Sequence, residues 1–330
     1  MSVEIGSYSA IQKALYWGKY ILGMVYIQKK LLKKPVLILS TRRSGTTLLM
    51  QMIYTQPGMN FQNQPTDIWI YNPYSSQLSP NRIGEIVNLD ARQEVWFQNF
   101  FDGLFTGRYR VNSQWNWFDA DYSWQVDRWV VKVLNPTNLI DWFLANCDAH
   151  ILYLTRHPIP VSRSIISRKW GNVASMYLSN PVYCEHMLTP EQLRECQMIM
   201  SKGSELQRFV LEWGLSNQNA NKLMLESKIP ALSYEELITK PDLMIAWMCE
   251  ELQLKNPQLM RRQIDRPSKT TLARSREEIN RGNAIELIEG WVSKVPPDEA
   301  RMAMYGVQDV LGLDLYTWDN PYPNKKYCRF

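Results

Sequence analysis

The chain has 330 residues, a net charge of +5 and an apolar content of 45%, values ordinary for a soluble globular protein. The length allows one domain or two, and the mild positive charge suits an anionic ligand without supporting nucleic-acid binding. The five cysteines (Cys147, Cys184, Cys196, Cys249 and Cys328) are odd in number and form no C-x-x-C pair. This argues against a disulfide framework or a zinc site and favours a cytoplasmic setting.

Residues 1–34 read as an N-terminal amphipathic helical extension. Ile11, Leu15, Trp17, Ile21, Leu22, Val25 and Ile27 precede Lys29, Lys30, Lys33 and Lys34. The uncharged stretch Tyr20–Gln28 is far short of the roughly 20 residues that span a bilayer. No small-residue cleavage site follows, so a secretory signal is not expected. The pattern predicts a helix packed on the rest of the chain or on a second subunit, with a membrane-surface helix as the alternative.

From residue 35 onward, strand-like and helix-like runs alternate, and we read 35–330 as one α/β domain with helical insertions. Val36–Ser40 is a predicted strand, followed by a helix over Thr46–Tyr54 that ends at Gln56-Pro57-Gly58. Further strands are expected at Trp129–Leu134, His150–Thr155 and Ile229–Tyr234. Helices are expected from Asn135 to Asn146, over Val161–Lys169, across a long region from about Pro190 to Glu226, and from Tyr234 to about Leu254. Continuous apolar strands separated by helices imply a doubly wound, mostly parallel sheet with helices on both faces. Ligands of such sheets bind at the carboxyl ends of the strands.

The loop between the first strand and helix reads Ser40-Thr-Arg-Arg-Ser-Gly-Thr-Thr47. Backbone N–H groups at a helix start collect phosphate, helped by the helix dipole. The loop is not G-x-x-x-x-G-K-[ST], because Thr46 follows Gly45 and the cations Arg42 and Arg43 come before it. A second anion site is expected where His150–Thr155 ends in Arg156 and the next helix carries Ser164. Arg offers a bidentate fork there and Ser a neutral donor.

Together these segments resemble the sulfotransferase family. Arg43-Ser44-Gly45-Thr46-Thr47-Leu-Leu is similar to its 5′-phosphosulfate loop, and Leu154-Thr-Arg156-His-Pro with Ser164 is similar to its 3′-phosphate motif. Leu232-Ser-Tyr234-Glu-Glu-Leu resembles a further strand end of that family. Arg266-Pro-Ser-Lys-Thr-Thr, the basic segment through Arg276, Arg281-Gly282, and Trp291 resemble its C-terminal nucleotide-closing segment. The similarity spans roughly residues 36–318, and the Arg form of the first motif is nearer the tyrosylprotein and bacterial or cyanobacterial branches.

The resemblance implies 3′-phosphoadenosine 5′-phosphosulfate (PAPS) as donor and PAP as product, with no metal and no covalent intermediate. Ser44, Gly45, Thr46 and Thr47 would hold the 5′-phosphate and Arg43 the transferring group, while Arg156 and Ser164 would hold the 3′-phosphate. Tyr234 and Trp291 would lie near the adenine, with Ser268, Thr270, Arg276, Arg281 and Gly282 around the nucleotide.

The catalytic base is less clear from sequence. Gln64 stands where the family often has a Glu, and Gln cannot take a proton. Lys132 matches a family lysine and can steady the transferring group or, if desolvated, act as a base. Asp67, expected in the first turn of a helix, Asp119, Asp121 and His186 are the other candidates; His150 and His157 read as structural. In the segment 114–129, Trp115, Trp117, Trp124 and Trp129 alternate with Asp119, Asp121 and Asp127. With Gln64, this pattern suggests a small, cationic acceptor such as an amine or guanidine, against an aromatic core with solvated acids. A P-loop kinase and a non-catalytic nucleotide-binding protein are the rival readings.

Overall fold

The computed structural model describes residues 9–28, 33–67, 71–74, 89–264, 266 and 283–327. In chain order the elements are α1 (Ala10–Leu22), β1 (Ile27–Gln28), β2 (Val36–Ser40), α2 (Thr46–Tyr54), β3 (Met59–Asn63), α3 (Ala91–Phe105), β4 (Gln125–Val126) and β5 (Arg128–Leu134). A 3₁₀ turn (Thr137–Leu139) leads into α4 (Ile140–Asn146), then β6 (His150–Thr155), α5 (Pro158–Ile166), α6 (Ala174–Leu178), α7 (Pro181–Met187), α8 (Pro190–Lys202) and α9 (Glu205–Leu225). β7 (Ala231–Ser233), α10 (Tyr234–Thr239), α11 (Pro241–Glu251), α12 (Pro257–Ile264), α13 (Ala284–Glu289) and α14 (Pro297–Tyr305) complete the order, ending in a π-helical turn at Gly306–Val310.

Five strands form a parallel sheet in the order β3-β5-β2-β6-β7, and β1 pairs with β4 apart from it. Side chains alternate across the sheet. Leu37, Leu39, Val131, Val133 and Tyr153 face a core completed by α3, α4, α5 and α9. Val36, Ile38, Val130, Leu152 and Leu154 face a second core with α2, α10, α11 and α12. Every residue of β2 is buried, as a central strand covered on both faces requires. This is the doubly wound α/β arrangement expected.

Several boundaries differ from expectation for local reasons. α5 starts at Pro158 rather than beyond the prolines, because proline suits a helix's first turn and His157 caps it by accepting from Ile159 N at 3.2 Å. The long helix divides at Gly203, where Ser204 opens α9 with a capping box to Gln207. Tyr234 does not end a strand: Ser233 caps α10, and Tyr234 is that helix's first residue. Pro241 separates α10 from α11. β3, an edge strand, has only Met59 and Phe61 as apolar residues between buried Asn60 and Gln62, too short an alternation for the sequence to mark it as a strand.

The N-terminal helix is capped by a Ser9/Gln12 box and has no buried residue. Ile11, Leu15, Ile21 and Ile27 lie largely exposed. Hydrogen bonds and ring contacts attach it: Tyr16 donates to Arg110 O at 2.7 Å and meets the Tyr71 ring edge-on, Arg110 Nη1 donates to Gly23 O at 2.9 Å and Trp117 Nε1 to Leu22 O at 2.8 Å. Among the described residues, no helix is long and apolar enough to cross a membrane.

Candidate functional site

The site forms where β2 ends between β5 and β6. Ser40 Oγ donates to Leu154 O at 2.6 Å, and Thr41 and Ser44 share a hydroxyl hydrogen bond at 3.0 Å. The chain then turns through two left-handed residues, Arg43 (φ 65°) and Gly45 (φ 92°), into α2. Gly45 is needed here on two counts. Its φ disfavours a side chain, and a Cβ would lie 2.3 Å from the Tyr234 ring. Gly45 is the N-cap of α2 and supplies no capping side chain. The first-turn N–H groups of a helix lack intrahelical partners, so this start suits an anion.

On the β6 side, cations gather. Arg43 Nε donates to Ser164 Oγ at 2.9 Å, and Arg156 Nη1 donates to Arg43 O at 3.3 Å. The Arg156 guanidinium lies 4.2 Å above the centre of the Tyr234 ring, and its buried Nε makes no hydrogen bond. Arg43 and Arg168 each approach the Trp170 ring at 5.7 Å. Burial first, then the charges of Arg168 and Arg156, pushes the Arg43 guanidinium down to about 10. Three arginines held this close create a strongly positive corner that suits an anion. The other loop cation faces away: Arg42 Nε and Nη2 donate to Glu212 of α9 at 2.9 and 2.8 Å.

On the β5 side stands Lys132. Its even position places it on the α2 face, where Nζ donates to Thr47 Oγ1 at 3.3 Å. It is buried, and desolvation lowers its pKa to about 8, with the Asp67 charge opposing that shift. Gln64 N donates to Lys132 O at 2.8 Å, and Asp67 N to Gln64 O at 3.1 Å. Gln64 (φ 55°) and Asp67 thus belong to a tight turn at the end of β3, and the helix expected to carry Asp67 in its first turn would run into residues 68–70, which lie outside the described residues.

The structure therefore brings Arg43, Ser44, Gly45, Thr46, Thr47, Lys132, Arg156, Ser164 and Tyr234 together, with Gln64 and Asp67 beside Lys132. Arg43 turns toward Ser164 rather than toward Lys132. Behind the site, His157 is buried against Trp291 at 4.5 Å, and burial holds it down to about 3, as a neutral structural residue. Trp291 is therefore a core residue beneath Arg156's strand end. Glu235 is fully buried, accepts from His157 N and Tyr316 Oη, and is pushed up to about 6 by that burial.

Other candidates lie elsewhere. Ser268, Thr270, Arg276, Arg281 and Gly282 fall outside the described residues. His186 sits exposed on α7, its Nδ1 2.8 Å from Val182 O. Trp115, Trp117, Asp119 and Asp121 follow Ser113, which bridges Gln62 of β3. Lys19 lies 5.5 Å over Trp115, Trp117 bonds Leu22 O, and Asp119 accepts from Asn116 Nδ2 at 2.8 Å. The charges of Asp121 and Asp119 act on Tyr54, at the far end of α2 from the loop after β2. Trp129 is core, packed over Gly107 and Tyr26. Sequence reading missed Arg168 and Trp170, because one arginine and one tryptophan after a helix carry no motif.

No protein-family model and no curated protein matches the chain. Solved structures do resemble it. One is the sulfotransferase domain from the Synechococcus PCC 7002 olefin synthase, at 16% identity over 88% of this chain and 98% of that one, with a TM-score of 0.44. A mouse sulfotransferase complexed with PAP shares 13% identity over 90% of this chain and 93% of that one, with a TM-score of 0.39. The sulfotransferase domain from the curacin biosynthetic pathway shares 17% identity over 74% of this chain and 81% of that one, with a TM-score of 0.38.

Proposed function

We propose that this chain is a sulfotransferase that moves a sulfuryl group from PAPS to a hydroxyl or amine of a small-molecule acceptor. The observation that carries the reading is the pair of cationic flanks around one helix start: Arg43, Arg156 and Arg168 on the β6 side and Lys132 on the β5 side. PAPS has two anionic ends on one ribose, and when bound it supplies the sulfuryl group. The orphaned buried Nε of Arg156 fits such a group.

In this reading Arg156, Ser164 and Arg43 bind the 3′-phosphate, which assigns Arg43 to the nucleotide end rather than to the transferring group. Ser44, Gly45, Thr46 and Thr47 hold the 5′-phosphate with backbone and hydroxyl donors. Lys132 keeps its proton at Nζ and offsets charge on the oxygen left behind, an interaction that strengthens as that charge grows. Asp67, on the acceptor side of Lys132, takes the acceptor's proton, and Gln64 orients the acceptor without exchanging a proton.

Thermal denaturation with PAP in the absence of metal tests the nucleotide. PAP should raise the melting temperature, as any ligand selective for the native state does. Stabilisation by Mg·ATP and not by PAP would favour a P-loop kinase. A mass-spectrometric acceptor screen with PAPS then tests transfer, and PAP binding with no sulfated product from any acceptor would identify a nucleotide-binding protein without that activity.

A further inference from the structure

A cavity of about 270 Å³ opens between α1 and the segment 110–113, lined by Gln12, Tyr16, Lys19, Tyr20, Tyr71 and Arg110 among others. Three of these walls are phenol rings: Tyr16 stacks on Tyr20 at 5.9 Å and meets Tyr71 edge-on at 5.2 Å. Its charge is all of one sign. Lys19 and Arg110 line it and Lys13 stands 6.0 Å from the Tyr71 ring, while among the described residues no carboxylate lines the cavity or pairs with Lys19 or Arg110. Arg110 is fixed by its bond to Gly23 O and by the rings of Tyr20 and Tyr26 at 5.8 and 4.6 Å.

Two hydrogen-bonded segments join the cavity wall to the Lys132 side of the candidate site. Asn112, on its wall, exchanges hydrogen bonds with Asn63, the last residue of β3, which is in register with Lys132. The segment carrying Tyr71 is tied to the same turn, because Asn72 Nδ2 donates to Pro65 O at 2.7 Å. We propose that this tyrosine-lined, cationic cavity is the acceptor pocket and that it selects a small, flat acceptor bearing a negative charge, such as a hydroxylated aromatic acid. The inference rests on the sulfotransferase reading for the word acceptor, and its charge preference is opposite to that suggested by the Trp and Asp residues of segment 114–129.

Three probes share one phenol and differ in charge: 4-hydroxyphenylacetate, its neutral amide, and tyramine. Calorimetric titration into the protein, with and without saturating PAP, ranks them. The anion should bind about tenfold more tightly than tyramine, as expected for two partly exposed cations acting together. Lys19→Glu, at an exposed residue, should erase that preference, and Arg110→Gln should weaken the anion alone. Equal binding of the three, a preference for tyramine, an unchanged ranking in Lys19→Glu, or no binding of any probe in the millimolar range would overturn the proposal. Failure of PAP to bind would refute the sulfotransferase reading, while the ranking on nucleotide-free protein would still decide the charge preference of the pocket.

Discussion

Arg43 Nε donates to Ser164 Oγ at 2.9 Å, which ties the loop after β2 to the helix that follows β6. The same corner holds Arg156, stacked on Tyr234 and bonded to Arg43 O. If these groups bind the 3′-phosphate, Arg156→Ala removes charge-assisted hydrogen bonds worth about 1.5–3 kcal/mol, a loss of roughly 10- to 150-fold in PAP affinity. Ser164→Ala removes one neutral donor and should cost about fivefold. Both variants should fold, and titration calorimetry with PAP reads the effect. Wild-type affinity in Arg156→Ala would remove the nucleotide from this corner.

Lys132 should set an alkaline limit on the reaction. Burial lowers its pKa to about 8. As a cation opposite the transferring group it works while protonated, so the rate should fall as pH rises through about 8, and Lys132→Met should lose both the rate and that limb. If Lys132 were the base, the rate would instead rise through the same range. Stability carries a separate sign. The unfolded lysine keeps its proton up to about 10.4, so between pH 8 and that value the unfolded chain binds more protons. The penalty from Lys132, complete below pH 8, is relieved across this window, and stability rises with pH. Urea midpoints at pH 8, 9 and 10 should show a rise in wild type that is smaller in Lys132→Met.

Gly45→Ala should damage both fold and site. A left-handed backbone costs a non-glycine residue about 1–3 kcal/mol in a constrained setting, and the new Cβ also displaces Tyr234. The melting temperature should fall by several degrees and PAP affinity should drop further, because Tyr234 supports Arg156. Adding Tyr234→Ser removes the clash but not the backbone strain, and should recover part of the lost stability and none of the lost affinity. Full recovery would mean that the ring contact alone requires glycine.

The parts legible in sequence were those whose signal is local. β2, its loop and α2 show as an apolar run, a small-residue turn and a periodic segment, and Arg156 and Ser164 follow a similar run. β3 escaped because polar residues are buried in it, and only the tertiary structure shows where Gln62 finds its partners: it donates to Tyr109 O and accepts from Val111 N, both at 2.7 Å. Tyr234 was read as a strand end because its apolar run masks the Ser233 cap. Trp115 and Trp117 drew attention as an aromatic–acidic pattern, but the docking of α1 decides their surroundings, and periodicity within one segment cannot show that. The tyrosine cavity is assembled from three segments far apart in sequence, so no single window contains it.

The pair Arg42–Glu212 gives the last prediction. Glu212, buried in α9, accepts from Arg42 through both oxygens and from Val173 N at 2.8 Å, and Arg42 Nη2 also donates to Gly171 O at 2.8 Å. One carboxylate thus joins the loop after β2 to the stretch that follows Arg168 and Trp170. Removing one member of a buried pair strands the other, at about 3–5 kcal/mol for full burial. Arg42 is partly exposed, so Glu212→Ala should fall at or below the lower end, read from urea unfolding. Replacing both residues, as in Arg42→Met with Glu212→Leu, leaves no stranded charge and should restore most of the stability. It should not restore PAP affinity, because the loop and the 168–173 stretch lose their common tether. A double variant that is stable and binds PAP as tightly as wild type would show that the pair serves the fold and not the site.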